Sequence, residues 1–189
     1  MTENLRLGST NKTYAIDSTN SDVSSSFTLP IAQSSDGVVW DPTLAHVYIT
    51  GNSDYGNYYN WLAATAGTGT EDTHSGRASS SICPKNWKLP NSGGNRSWFY
   101  MAESTYHFER SENVIKAQAS PLSIVLSGRY LYSNGVTQYQ ATNGLYWTST
   151  PVQDENETRV YIADFTNTYV VTYAIFDRAF GFAVRCVTH

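Results

Sequence analysis

The chain has 189 residues and a net charge of −4, and only 15% of its residues are charged, against about 25% in an average soluble domain. That length suits one domain, and folding at this size buries roughly 70% of the unfolded surface, enough for a single core. Twelve scattered Lys and Arg residues form no phosphate-tracking stripe, which excludes a nucleic-acid partner, and the longest apolar runs fall short of a membrane span.

Ser, Thr, Asn, Gly and 14 Tyr take the place of charge. Binding surfaces share this composition, because Tyr gives large contact area at low entropy cost. Residues 9–37 are polar and read as loop around one short strand in "FTLPIA". Residues 57–66, "NYYNWLAATA", read as a helix: Tyr58, Trp61, Leu62 and Thr65 follow i, i+3, i+4, i+7 spacing, and Gly67 stands where a glycine stops a helix. Residues 67–81 are a Gly/Ser-rich loop. Alternation puts Trp87 and Leu89 of "NWKLP" on one face of a short strand, packed in the core. A second helix is expected over about 96–107, "RSWFYMAESTYH".

From 121 onward the period changes. "SIVLSGRYLY" and "LYWTST" read as strands, and "RVYIADF" and "YVVTYAI" flank the loop "TNT" as a hairpin. In the closing strand "FGFAVRCV", Phe180, Phe182, Val184 and Cys186 share one face. Early helices and late antiparallel strands predict an α+β class, with two helices packed on small antiparallel sheets. No internal repeat or linker divides residues 1–189.

Cys83 and Cys186 are the only cysteines. Cys83 precedes a proline, which favours an extended backbone, and Cys186 points at the core. The pair is either a disulfide or two buried free thiols, and the low-charge, surface-like composition favours the disulfide. Cysteines this far apart show no ligand spacing, and no His motif accompanies them, so no metal is expected.

The segments "MTENLRLG", "YGNYYNWLAATAGTGT", "SSICPKNWKLP", "SPLSIVLSG", "YWTST" and "GFAVRCV" occur in one order along the chain. Together they resemble the Fibrobacter succinogenes major paralogous domain. That family belongs to the C-type-lectin-like folds and is distantly related to formylglycine-generating enzymes. In such domains the opening motif usually follows further residues, so the resemblance implies a piece of a longer surface protein. The chain also resembles the variable proteins of diversity-generating retroelements, in which substitutions concentrate ahead of a fixed closing strand. The resemblance implies a ligand-binding face carried by C-terminal loops. Its candidate residues are Trp147, Val152, Asp154, Glu155, Asn156, Glu157, Tyr169, Thr172, Tyr173, Ile175, Phe176, Asp177, Ala179 and Phe180. Arg178 resembles a framework arginine.

Chemistry finds little support in these residues. The calcium-binding triplets of lectins are missing, and "DSTNSD" and "DENE" read as solvated loops. Only one cysteine stands near the C-terminus, where the oxidase relatives bind copper through two. Hydrolase and phosphate-loop motifs are absent, and the four His residues are scattered. The expected function is non-catalytic recognition of a protein or glycan on another cell or surface, without a cofactor. The expected setting is extracellular: a cell surface or virion. The alternative is a structural surface component, such as a minor pilus or envelope protein.

Overall fold

Residues 143–151 are apolar or small at nearly every position, which suits a strand covered on both faces. In the computed structural model, which describes residues 3–69, 77–92, 117–119, 122–152 and 158–188, they form the middle of a six-stranded sheet. In chain order the elements are β1 (Tyr14–Ile16), β2 (Phe27–Leu29), β3 (Val47–Ile49), β4 (Asn57–Tyr59), α1 (Trp61–Ala64), β5 (Trp87–Lys88) and β6 (Arg129–Leu131). There follow β7 (Val136–Gln138), β8 (Asn143–Pro151), β9 (Arg159–Thr166), β10 (Val170–Asp177), β11 (Phe182–Ala183) and β12 (Val187–Thr188). The large sheet runs β10-β9-β8-β11-β4-β3 and is antiparallel except where β11 pairs parallel with β8. Three two-stranded ribbons, β1-β2, β12-β5 and β6-β7, surround it.

This architecture corrects the expected α+β class with two packed helices. Among the described residues the fold is mostly β, with one short helix, α1, and two further helical residues, Ala117 and Gln118. The periodic stretch 57–66 splits. Asn57–Tyr59 is strand β4, held between β3 and β11, because Tyr58 and Tyr59 are aromatic residues that fit a sheet buried on both faces. Helix α1 begins only after Asn60, whose side-chain oxygen accepts from the Ala63 amide at 3.1 Å, and it ends where Ala66 and Gly67 adopt φ of 49° and 79°. The second expected helix, 96–107, lies outside the described residues. The stretch "SIVLSG" is irregular, with strand geometry starting only at Arg129. The closing strand is interrupted too: β11 and β12 flank Val184, Arg185 and Cys186.

Alternation along β8 divides the core. Leu145 and Trp147 face the largest buried cluster, with Val160, Ile162, Phe182, Val184 and Trp61. Tyr146 faces the opposite side with Ala163, Phe165 and Ala183. Residues 122–128 cover that second side. The Tyr146 hydroxyl donates to the Val125 carbonyl at 2.5 Å and accepts from the Val125 amide at 3.1 Å. Arg185, buried over the Tyr146 ring, donates to the Ser123 carbonyl at 3.0 Å. A third cluster, Trp40, Tyr48, Tyr58 and Tyr130, closes the β3–β4 end of the sheet.

The two cysteines form a disulfide, with Cα atoms 5.7 Å apart across a separation of 103 residues and no exposure of either residue. Free thiols are thereby ruled out. A β-rich domain closed by a buried disulfide is consistent with a secreted or extracellular protein. No helix among the described residues is long and apolar enough to cross a membrane.

Candidate functional site

The hairpin β9–β10 carries most of the sequence-derived candidates. Its turn is tied by Thr166, whose hydroxyl oxygen accepts from the amides of Thr168 and Tyr169 at 3.2 and 3.0 Å. Pairing runs Val171 with Asp164 and then Ala174 with Ile162, so Thr172 and Tyr173 together oppose Ala163. This one-residue bulge turns Tyr173 outward while Thr172 is buried. Beyond it Ala174 and Phe176 face the core and Ile175 faces solvent. Tyr169, Tyr173 and Ile175 are the exposed members of the candidate set, with Tyr173 the most open at 65%.

Other candidates are withdrawn from the surface. Trp147 is fully buried and donates its indole N–H to the Tyr59 carbonyl at 2.5 Å, so it is a core side chain that no ligand reaches. Thr172 and Ala179 are buried as well, and the Thr172 carbonyl accepts from the Ser92 hydroxyl. Val152 is buried at the end of the large sheet, and residues 154–157 (Asp154, Glu155, Asn156, Glu157) lie outside the described residues. Asp177 is half-buried and caps the turn into the closing segment, accepting from the Ala179 amide at 2.8 Å. Arg178 is structural: it is buried with its guanidinium 4.6 Å from the Trp61 ring.

Phe176 and Phe180 are half-buried and form a ladder with Phe182, at centroid separations of 5.4 to 5.7 Å. On this ladder lies a residue absent from the sequence-derived set. Arg129 of β6 sits with its guanidinium carbon 4.9 Å from the Phe180 ring, 5.8 Å from Phe176 and 4.8 Å from exposed Tyr139. Its position follows from strand alternation. Tyr130 points into the third cluster and exchanges backbone bonds with Gly181 at 2.8 and 2.9 Å, so Arg129 must point the other way, over the phenylalanines. That close crossing requires glycine: a Cβ on Gly181 would lie 2.7 Å from the Tyr130 Cβ and 2.8 Å from the Trp40 ring. The cross-strand partner Gln138 accepts from Arg129 Nη2 at 2.9 Å and Nε at 3.3 Å through a single oxygen.

A carboxylate completes the face. Asp164 of β9 is buried, accepts from Asn143 Nδ2 at 3.1 Å and from the Tyr169 hydroxyl at 3.4 Å. Burial pushes its carboxyl above the usual value, against the opposing pull of Asn143, Tyr169 and the Arg129 charge. Burial likewise lowers the Arg129 pKa. The two residues influence each other electrostatically, yet no ion pair joins them.

A signal for this face was present in the sequence. "RYLYSNGVTQY" holds an Asn-Gly pair between two short runs of strand formers, the mark of a hairpin. Asp164 is a lone charge inside the apolar run "VYIADF".

A separate shallow cleft is lined by Asp22, Arg77, Ser79, Lys88, Asn91 and Ser149 among others. It is polar and has no aromatic wall. Among the described residues no group of three or more His, Cys, Asp and Glu side chains could hold a metal ion. "DSTNSD" opens on a turn in which Asp17 accepts from the Thr19 amide and hydroxyl at 2.8 and 2.5 Å, which lowers its pKa, and its Asn20 and Asp22 are tied by hydrogen bonds to residues 81–85. Comparison with known protein families, curated proteins and solved structures returns no match for this chain.

Proposed function

We propose that this protein is a non-catalytic recognition module that binds a protein or glycan ligand at a cell or virion surface. The observation that carries this reading is Arg129, held over Phe176, Phe180 and exposed Tyr139, with exposed Tyr169 hydrogen-bonded to the neighbouring Asp164. Arginine and tyrosine dominate binding hot spots, because they combine a polar head with a large apolar body. Here they stand on strands and a bulged hairpin fixed by the core beneath, which keeps the ordering cost of binding low.

The alternative, a structural surface component, draws on a different observation. Ile31, Val38, Val39 and Leu44 are exposed apolar residues in the N-terminal half of the chain, suited to packing against a neighbour. Arrays of glycans and of cell-surface proteins, probed with the wild-type protein and with a Tyr139→Ser, Tyr169→Ser, Tyr173→Ser variant, test the proposal. Recognition predicts a wild-type ligand whose affinity falls at least about tenfold in the variant while the urea midpoint stays put. A ligand held equally well by the variant refutes this face. Concentration-dependent self-assembly abolished by Val39→Asp with Leu44→Asp, with no array ligand, favours the structural alternative.

A further inference from the structure

Resting on the recognition reading, we infer that the ligand is a saccharide bearing a carboxylate, gripped by Arg129. A guanidinium offers five N–H donors in a planar fork. Here Nε and Nη2 converge on one oxygen of Gln138, and the described residues give the Nη1 side no acceptor. Burial among three aromatic rings strips water from the group and lowers its pKa, so an incoming anion meets a cation that is only partly solvated. The surroundings choose among anions. One guanidinium pairs in bidentate geometry with a carboxylate or a phosphate, but its single charge balances a carboxylate fully and a phosphate dianion only in part. Asp164, close enough to be felt by Arg129, further disfavours a doubly charged group.

Asp164 also selects for the rest of the ligand. Buried itself, it acts through exposed Tyr169: it accepts from the Tyr169 hydroxyl at 3.4 Å, and the Tyr169 oxygen keeps lone pairs for a ligand donor. The face therefore offers a cation to an anion and an acceptor to a hydroxyl donor of the same ligand. A sugar acid carries both on one ring. Its C–H face suits the exposed ring of Tyr139, which already lies against the Arg129 guanidinium. An acidic peptide supplies the anion but not the cluster of hydroxyls.

The test is titration calorimetry of the whole chain with oligosaccharides of glucuronate, galacturonate and N-acetylneuraminate, with their methyl esters, and with a glutamate-rich peptide. The expected result is binding of at least one free acid, weakened at least tenfold by esterification. Arg129→Met, which keeps the apolar stem over the rings, and Arg129→Lys, which keeps the charge but loses the fork, should each lose at least tenfold with an unchanged urea midpoint. Should Arg129→Met unfold the protein, Arg129→Lys and the ester series still decide the matter. Equal binding of acid and ester overturns the carboxylate while leaving recognition intact. Binding of the peptide but of no sugar acid overturns the saccharide. Binding of none of these probes overturns the inference, and the arrays described above then judge the recognition reading independently.

Discussion

Cutting the Cys83–Cys186 bridge is the most informative perturbation, because its cost can be worked out beforehand. The bridge closes a loop of 103 residues, and the chain-entropy relation gives about 4.7 kcal/mol for a loop near 100 residues. Reduction keeps both sulphurs in the core and isolates that contribution. The double variant Cys83→Ala, Cys186→Ala also deletes two fully buried sulphurs, at about 1 kcal/mol each if they behave like buried methyl groups. Its total loss should be about 6–7 kcal/mol, a large part of the ~5–15 kcal/mol that keeps a typical domain folded. For a chain of this size that lowers Tm by about 12–28 °C. Urea unfolding followed by tryptophan fluorescence, with and without reductant, is the assay. The slope against urea should also steepen on reduction, because the unbridged denatured chain exposes more surface. A loss below about 2 kcal/mol with an unchanged slope would refute the reasoning. It would mean that the denatured chain already holds Cys83 near Cys186, so that the bridge removes little freedom.

Replacing Trp147 with Phe keeps a ring in the core but leaves the Tyr59 carbonyl without its donor, at a cost of about 1–3 kcal/mol in the urea midpoint. Gly128→Ala introduces a Cβ 2.6 Å from the Gln140 amide nitrogen at a φ of 75°, so a loss of about 2–5 kcal/mol is expected. Asp164→Asn should do the opposite at neutral pH. Burial raises the folded-state pKa of Asp164, so its favourable contribution is complete below the unfolded value near 3.8 and is lost as pH rises through the folded value. The variant should therefore be more stable than wild type at pH 7, by about 1 kcal/mol or less because Asn143, Tyr169 and Arg129 offset much of the burial cost, and the gap should close in acid. Urea midpoints across pH measure this, and a wild type more stable at pH 7 would show that Asp164 is held by stronger partners than burial opposes.

Local pattern carried the hairpin and the core, and long-range contact carried the rest. The β9–β10 pair was readable because two strand-forming runs flank a three-residue polar turn, and the disulfide was readable because Cys186 alternates with Phe182 and Val184. Helix α1 was overestimated because the spacing of Tyr58, Trp61, Leu62 and Thr65 fits a helix, while Tyr58 and Tyr59 are claimed by β3 and β11 from far along the chain. No local window contains those partners. Trp147 was misjudged for a related reason: a strand reads as half-exposed unless both its faces are known to be covered. Arg129 escaped notice because its three rings come from residues 139, 176 and 180, which meet only after the hairpins fold together.

The bridge has a mechanical consequence. Tension applied between the two ends of this domain passes along the backbone to Cys83, crosses the sulphurs and leaves through Cys186. The intervening segment carries no load. At ~3.4 Å per residue the full contour of 189 residues is about 640 Å, and bypassing 103 of them leaves about 290 Å that force can extend. Arg129, Asp164, Phe176 and Phe180 all belong to the shielded segment. Pulling can peel β1 to β4 from the domain, but it cannot draw out the chain that carries the aromatic face until a reductant arrives.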